Sequence, residues 1–281
     1  MPNRSLGHFD LIVMGAGSAG ACAAIAAARS GSKVLVIDRL PFIGGTSTAV
    51  LDTFYGFYTP GEKAKKIVGG IPDDVVNGLK KFGSMIERPN TYGAGTGVTY
   101  NAEHLKVVWE SLIIKSGAKI LLHSLLQQVK VLDGRVQELI LATRAGLCSV
   151  TGDFFIDATG DADLSNFAGF GYEKAGEIAP AQTLTTTFKM VNVDLVERKK
   201  IQKEQLHQLM QEATENGYEL PRKEGSDHIT PVANTTATVM TRLDSVRKNS
   251  KGEIESVLDD PFFLLNLRLQ VESKLQSMQD F

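Results

Sequence analysis

Cysteine is scarce: Cys22 and Cys148 are the only two in 281 residues. They stand in neither metal-ligand nor C-x-x-C spacing, so no zinc site, dithiol redox pair or disulfide framework is expected, a usage that suits the cytosol. An excess of one charge is lacking too. Thirty basic residues against 32 acidic ones leave a net charge of −2, which gives no electrostatic case for nucleic acid or an anionic membrane. Long apolar runs are missing. Residues 1–8 hold no apolar core of signal-peptide length, and the alanine-rich stretch after Gly20 is too short, and too interrupted by Arg29 and Gly31, to span a bilayer. No repeat or low-complexity segment is present. H-E-x-x-H, G-x-S-x-G and G-x-x-x-x-G-K-[ST] are absent, which leaves metalloprotease, hydrolase and P-loop readings without support.

What is present is organised around residues 9–38. Phe9 to Met14 is a short apolar run of the kind a buried parallel strand needs. Gly15, Gly17 and Gly20 follow in G-x-G-x-x-G spacing, then an alanine-rich helix to Arg29, then a second apolar strand from Lys33 to Ile37 closed by Asp38. This is a βαβ dinucleotide fingerprint in its expected context. Gly15 permits the tight turn, Gly17 lets backbone approach a pyrophosphate, and Gly20 lets the helix pack on the strand. The helix N-terminus offers free N–H groups and the positive end of its dipole. Asp38 can accept hydrogen bonds from a ribose diol and would repel a 2′-phosphate, which disfavours NADP. The bland alternative is a glycine-rich turn with no ligand.

Residues 1–8 read as a polar lead-in and residues 39–61 as a long loop carrying Gly44-Gly45-Thr46. Its aromatic cluster, Phe54 to Tyr58, reads either as a wall for a flat ligand or as a core patch. Residues 69–82 read as a helix and 88–101 as a glycine-rich loop. Asn101 caps a helix over 102–116 that ends at Gly117. A strand at 119–123 precedes two strands, 126–132 and 136–143, around an Asp133-Gly134 hairpin turn. Residues 152–161 read as a strand running into a second glycine turn. The fold expected is α/β: a parallel Rossmann-like sheet with an inserted antiparallel meander over residues 1–162, and a smaller α+β substrate domain over 163–281. In the latter, a strand is expected at 183–190, one amphipathic helix from Asp194 to Gly217, another strand within 230–243, and a final helix beginning at Asp260-Pro261. His228, read as a loop histidine, is the general acid/base candidate. Arg242 is a carboxylate-clamp candidate, and Tyr55 and Tyr58 are candidate contacts to substrate or cofactor.

These residues resemble a known group. The fingerprint, Asp38 followed by Arg39, the segment from Pro41 to Ala49 and the segment Ile156 to Leu164 together are similar to the FAD-dependent oxidoreductases, with a fold like that of glutathione reductase and the succinate dehydrogenase and fumarate reductase flavoproteins. The resemblance implies that Gly15, Ala16, Gly17, Ser18, Ala19 and Gly20 hold the pyrophosphate of FAD. It places Asp38 on the adenosine ribose and Arg39 near adenine or diphosphate. Gly44, Gly45 and Thr46 would lie along the diphosphate and flavin, Leu126 and Gln127 would offer backbone to the adenine, and Ala158, Thr159, Gly160 and Asp161 would approach from the second glycine turn. The implied activity is hydride transfer between a small organic substrate and flavin, with an electron acceptor or donor as partner and an oligomer possible. Members of the group end in a glycine-rich strand–helix return that residues 244–281 do not contain, so the chain reads as C-terminally truncated. Two alternatives follow: a truncated, non-catalytic nucleotide-binding or interaction protein, and an NAD-dependent dehydrogenase. The Gly-Gly-Thr and Ala-Thr-Gly-Asp segments argue against the second.

Overall fold

A computed structural model describes residues 4–51, 54–59, 63–89, 96–185, 187–218, 220, 223–225, 227–239 and 243–257. The chain divides into two compact units: Met1–Tyr172 with Thr230–Val232, and Glu173–Ile229 with Ala233–Phe281.

The first unit is built on a strand whose C-terminal end is apolar because both its faces are covered. That strand, β1 (Arg4–Met14), leads through the Gly15–Gly17 turn into helix α1 (Ser18–Arg29) and then β2 (Val34–Ile37). β1 and β2 pair in parallel, Leu11 with Val34 through Met14 with Ile37. Further along the chain come α2 (Thr46–Ala49), β3 (Phe54–Gly56), α3 (Ile71–Lys81), β4 (Met85–Pro89), β5 (Thr96–Tyr100) and α4 (Ala102–Ser116). Then β6 (Lys119–Leu121), β7 (Leu125–Leu132), β8 (Arg135–Thr143), β9 (Gly146–Asp157) and α5 (Asp163–Phe167) complete the unit. The main sheet runs β6-β2-β1-β9-β8-β7. β6 and β9 flank the βαβ unit in parallel, and β7, β8 and β9 form the antiparallel meander. Asp133 and Gly134 both have positive φ, 51° and 72°, as a two-residue primed hairpin turn requires.

Helices α1 and α4 cover one face of this sheet, with α3 packed against them. Ile25, Leu79, Leu105 and Ile113 are fully buried there with Val13, Val34 and Val36, each large side chain contributing about 1.5–3 kcal/mol of transfer free energy. The other face buries Phe9, Ile12, Ile37, Leu126, Leu139 and Leu141. As expected, the Asn101 side chain caps α4, accepting from Glu103 N–H at 2.9 Å, and Gly117 ends it in the left-handed region.

Four stretches depart from expectation. Residues 4–8 are strand, not lead-in: β9 is long enough to pair with them, Arg4 opposite Cys148 and His8 opposite Thr151, across an irregularity between Ser5 and His8. The stretch 39–61 carries α2 and β3 where a continuous loop was expected. The described ends of 88–101 are strands: β5 pairs antiparallel with both β3 and β4. Gly97 marks a close approach, since a Cβ there would lie 3.0 Å from the Phe54 ring.

The fourth departure lies in the second unit, which contains β10 (Thr187–Val191), α6 (Leu195–Lys200), α7 (Lys203–Glu215), β11 (Asp227–Ile229), β12 (Thr235–Val239), β13 (Val246–Lys248) and β14 (Ile254–Ser256). β10, β12 and β11 form an antiparallel sheet in that order. The expected single helix breaks at Ile201–Gln202, both extended. Asp194 caps α6 as expected, accepting from Val196 and Glu197 N–H. A second N-terminal box, Gln202 with Gln205, then starts α7. Arg198 holds the break, donating to Ile201 O at 2.9 Å and, in two bonds, to the carboxylate of Asp227 on β11. Pairing with Asp227 also raises the guanidinium pKa above its ordinary value. The Asp227 side chain is only 4% exposed, so Arg198→Ala strands a buried charge. It is expected to destabilise this unit by about 1.5–3 kcal/mol, read as a lower midpoint in urea denaturation. The expected final helix and Arg242 lie outside the described residues.

Candidate nucleotide site

Three glycine turns meet above the C-terminal ends of β1, β2 and β9. The first follows β1. Gly15 has φ +98°, and its N–H donates to Ile37 O at 2.7 Å. A Cβ there would fall 2.2 Å from Ala158 O, so only glycine fits between β2 and β9. A Cβ on Gly20 would fall 1.8 Å from Gly15 O, which is how α1 sits directly on the turn. Gly17 is different: a Cβ there would meet only Gly45 Cα, at 3.9 Å. Its surroundings leave room for a ligand rather than for packing.

The first turn of α1 is equipped for an anion. It has no acidic side chain and no side-chain cap, whereas α3, α4, α6 and α7 each carry an acid there. The helix ladder opens with Ala21 N–H to Gly17 O, so the N–H groups of Ser18, Ala19 and Gly20 are the ones a helix leaves without internal partners.

The second turn docks on the first. Gly44 N–H donates to Ala16 O at 2.8 Å, and Gly44 bridges Gly17 in parallel. A Cβ on Gly45 would lie 2.9 Å from Gly17 Cα. Thr46 begins α2, and Thr48 ties the arm inward by donating to Ile43 O.

The third turn follows β9, whose Ala158 N–H donates to Met14 O at 2.7 Å. Asp157 organises it. One carboxylate oxygen accepts from Thr159 N–H and O–H, the other from Ser165 N–H and O–H. Burial opposes ionisation of Asp157, but these four bonds outweigh it and hold its pKa below the ordinary carboxylate value. Asp163 shifts the other way: burial, then the neighbouring Asp161 charge, raises its pKa, with Arg39 opposing. Gly160 has open space where a side chain would be.

Beside the turns lies a cleft of about 270 Å³. Gly15, Asp38, Arg39, Leu126, Gln127 and Thr159, all expected site residues, line it together with Met14, Leu125, Asp163 and Phe167. Asp38 is 7% exposed and accepts from Ala16 N–H at 2.6 Å and Leu40 N–H at 2.8 Å. Two of its four lone-pair positions therefore pin the loop, and two stay available to a ligand. Gln127 falls at a register shift between Leu126 and Gln128, outside the ladder with β8, a placement typical of bulges beside sites.

A dinucleotide fits this arrangement: a pocket for a nucleoside, a tightly held acid within it, and an uncapped helix N-terminus next to two glycine approaches. Tyr55 is partly buried against the cluster that includes Ala21, Ala24 and Ile25; its ring stacks on Phe57 at 5.3 Å and lies tilted to Tyr100 at 4.9 Å. His228 lies in β11 of the second unit, opposite Ala237, not in a loop. His8 hydrogen-bonds Thr151 and Asp153, His104 stacks on Phe82, and His207 bonds Gly225 O. Asp157, Asp163 and Phe167 were missed by sequence reasoning. The spacing from Asp157 to Thr159 and Ser165 was the available signal for the first.

Comparison with known proteins gives a consistent picture. A family profile described as FAD dependent oxidoreductase matches residues 10–260. A fumarate reductase (cytochrome) of Shewanella frigidimarina is 38% identical over 80 residues, 28% of this chain. The match spans only 14% of that protein's length. Among solved structures, a flavin-dependent brominase aligns with TM-score 0.54 at 13% identity, covering 82% of this chain and 56% of its own. CabE, an aromatic hydroxylase from angucycline biosynthesis, aligns with TM-score 0.52 at 16% identity, over 86% and 46%. At these identities the likeness is one of fold.

Proposed function

The chain belongs to the FAD dependent oxidoreductase family, and from that premise we propose that it binds FAD through the three glycine turns and serves hydride transfer to or from a small organic substrate. The observation that carries the proposal is the docking of Gly44-Gly45 on Ala16 and Gly17, with Ala158 closing the other side. A nicotinamide site needs the first turn alone; the second and third suit a longer cofactor whose diphosphate continues toward a flavin.

The residues divide the work. Ser18, Ala19 and Gly20 N–H groups hold the diphosphate, Asp38 accepts from the ribose, Arg39 balances charge at the cleft mouth, and the Leu126–Gln127 backbone meets the adenine. Gly44, Gly45 and Thr46 run along the diphosphate toward the flavin, and Ala158, Thr159, Gly160 and Asp161 close on it from the third turn. When bound, FAD supplies a ring that takes and returns hydride. The protein fixes its position, and an electron acceptor or donor completes the cycle. The paucity of cysteine supports a cytoplasmic location. Among the described residues no helix is long and apolar enough to cross a membrane.

Purified protein is expected to carry visible flavin absorbance, and reverse-phase chromatography of the denatured sample to release FAD. Release of NAD instead, or failure to take up added FAD, would overturn the proposal.

A further inference from the structure

A chain of hydrogen bonds runs beneath the first two glycine turns. Trp109 Nε1–H, on α4, donates to Tyr55 Oη at 3.2 Å. Tyr55 Oη lies 3.1 Å from Ser18 Oγ, in the first turn of α1. Ser18 Oγ lies 2.8 Å from Ser47 Oγ, in α2. Tyr100 O–H, from β5, donates to Ser47 O at 3.1 Å. Five elements, α1, α2, β3, β5 and α4, thus meet around two serines that flank the Gly17–Gly44 bridge.

Counting protons gives this chain a direction. The indole N–H only donates, whereas each hydroxyl donates once and accepts twice. Tyr100 spends its proton on the Ser47 carbonyl; the other four protons serve three contacts, so one hydroxyl proton is left over. Trp109 is 2% exposed, and its proton is committed to Tyr55. The Tyr55 ring lies against those of Phe57 and Tyr100, and Ser18 Oγ is the acceptor its hydroxyl meets among the described residues. The Tyr55 proton therefore goes to Ser18. The unspent proton belongs to Ser18 or Ser47, both beside the uncapped first turn of α1. Such a chain polarises its last donor.

We propose that Tyr55 and Trp109 are positioning residues: they orient a serine hydroxyl, on Ser18 or Ser47, as a donor to an anionic oxygen of the cofactor diphosphate. This rests on the FAD reading above. It gives Tyr55 a part in cofactor binding through Ser18, without touching the cofactor itself.

The test uses the full chain, stripped of flavin and titrated with FAD, with the ³¹P resonances of the bound diphosphate recorded. Tyr55→Phe keeps the ring stack and removes one hydroxyl. It is expected to raise the FAD Kd up to about tenfold, the size of one ordinary hydrogen bond, and to move a diphosphate ³¹P resonance in the direction that Ser18→Ala moves it. Combined with Ser18→Ala it should add little, because both act on one donor. Trp109→Phe, at the far end of the chain, should give a smaller rise and the same spectral direction. A wild-type Kd and ³¹P spectrum in both Tyr55→Phe and Trp109→Phe would overturn the inference, as would full additivity with Ser18→Ala. If the wild-type chain takes up no FAD, the FAD reading falls first; if it does and the variants match it, only the positioning role falls.

Discussion

Gly20→Ala should abolish stable FAD binding and lower the stability of the first unit by about 3 kcal/mol, the upper end of the usual cost of overpacking. The added methyl would lie 1.8 Å from Gly15 O and 3.1 Å from Ala158 Cβ. The first obstacle is backbone, not a side chain that can swing aside. Gly15 is itself fixed by its bond to Ile37 O and by the lack of room beside Ala158. Relief therefore requires α1 to lift from the turn. That movement would carry the N–H groups of its first turn away from the diphosphate and open the interface where Ala21, Ala24 and Ile25 are fully buried. Gly171→Ala is the matched control: nothing lies within 4 Å of its added Cβ, and it should leave both properties near wild type. Thermal melting with and without added FAD checks both halves. A Gly20→Ala protein that melts and binds FAD as the wild type does would refute the packing account.

The same residues show why part of this site was legible in the sequence and part was not. The βαβ unit declares itself locally: an apolar strand, glycines at fixed spacing, an acid at the end of the second strand. The α4 cap at Asn101 and the Asp133-Gly134 turn are local as well, and all three stand as expected. What sequence reasoning missed depends on partners far along the chain. Residues 4–8 look polar in isolation, and become strand because β9, more than 140 residues later, offers them a ladder. β5 is rich in threonine and glycine and is fixed by pairing with β3 and β4. The break at Ile201 has a local cause in the Gln202–Gln205 box, reinforced by an ion pair to Asp227. Tyr55 carries no local sign that its hydroxyl reaches Ser18 and Trp109, since those contacts span 37 and 54 residues.

Asp38 illustrates how one side chain can satisfy both the fold and the ligand, and its replacement is expected to have the second large effect. Its spacing from the glycines suggests a ribose acceptor. In the fold it is also the acceptor that fixes the loop, bonding Ala16 N–H at 2.6 Å and Leu40 N–H at 2.8 Å from a site 7% exposed. Asp38→Ala removes both acceptors at once. Each N–H left buried without a partner costs about 1–3 kcal/mol, so a loss of roughly 3 kcal/mol is expected, along with loss of FAD from the purified protein. Asp38→Asn separates the two roles. Its single amide oxygen can keep one loop bond, while the NH₂ group faces donors where acceptors are needed. It should fold with a smaller loss of stability and still bind FAD at least tenfold more weakly, because the ribose hydroxyls lose a charged acceptor worth about 1.5–3 kcal/mol. Denaturation midpoints and FAD titrations on the two variants distinguish the roles. If Asp38→Asn binds FAD like the wild type while Asp38→Ala unfolds, the carboxylate is a loop anchor alone and the ribose assignment is wrong.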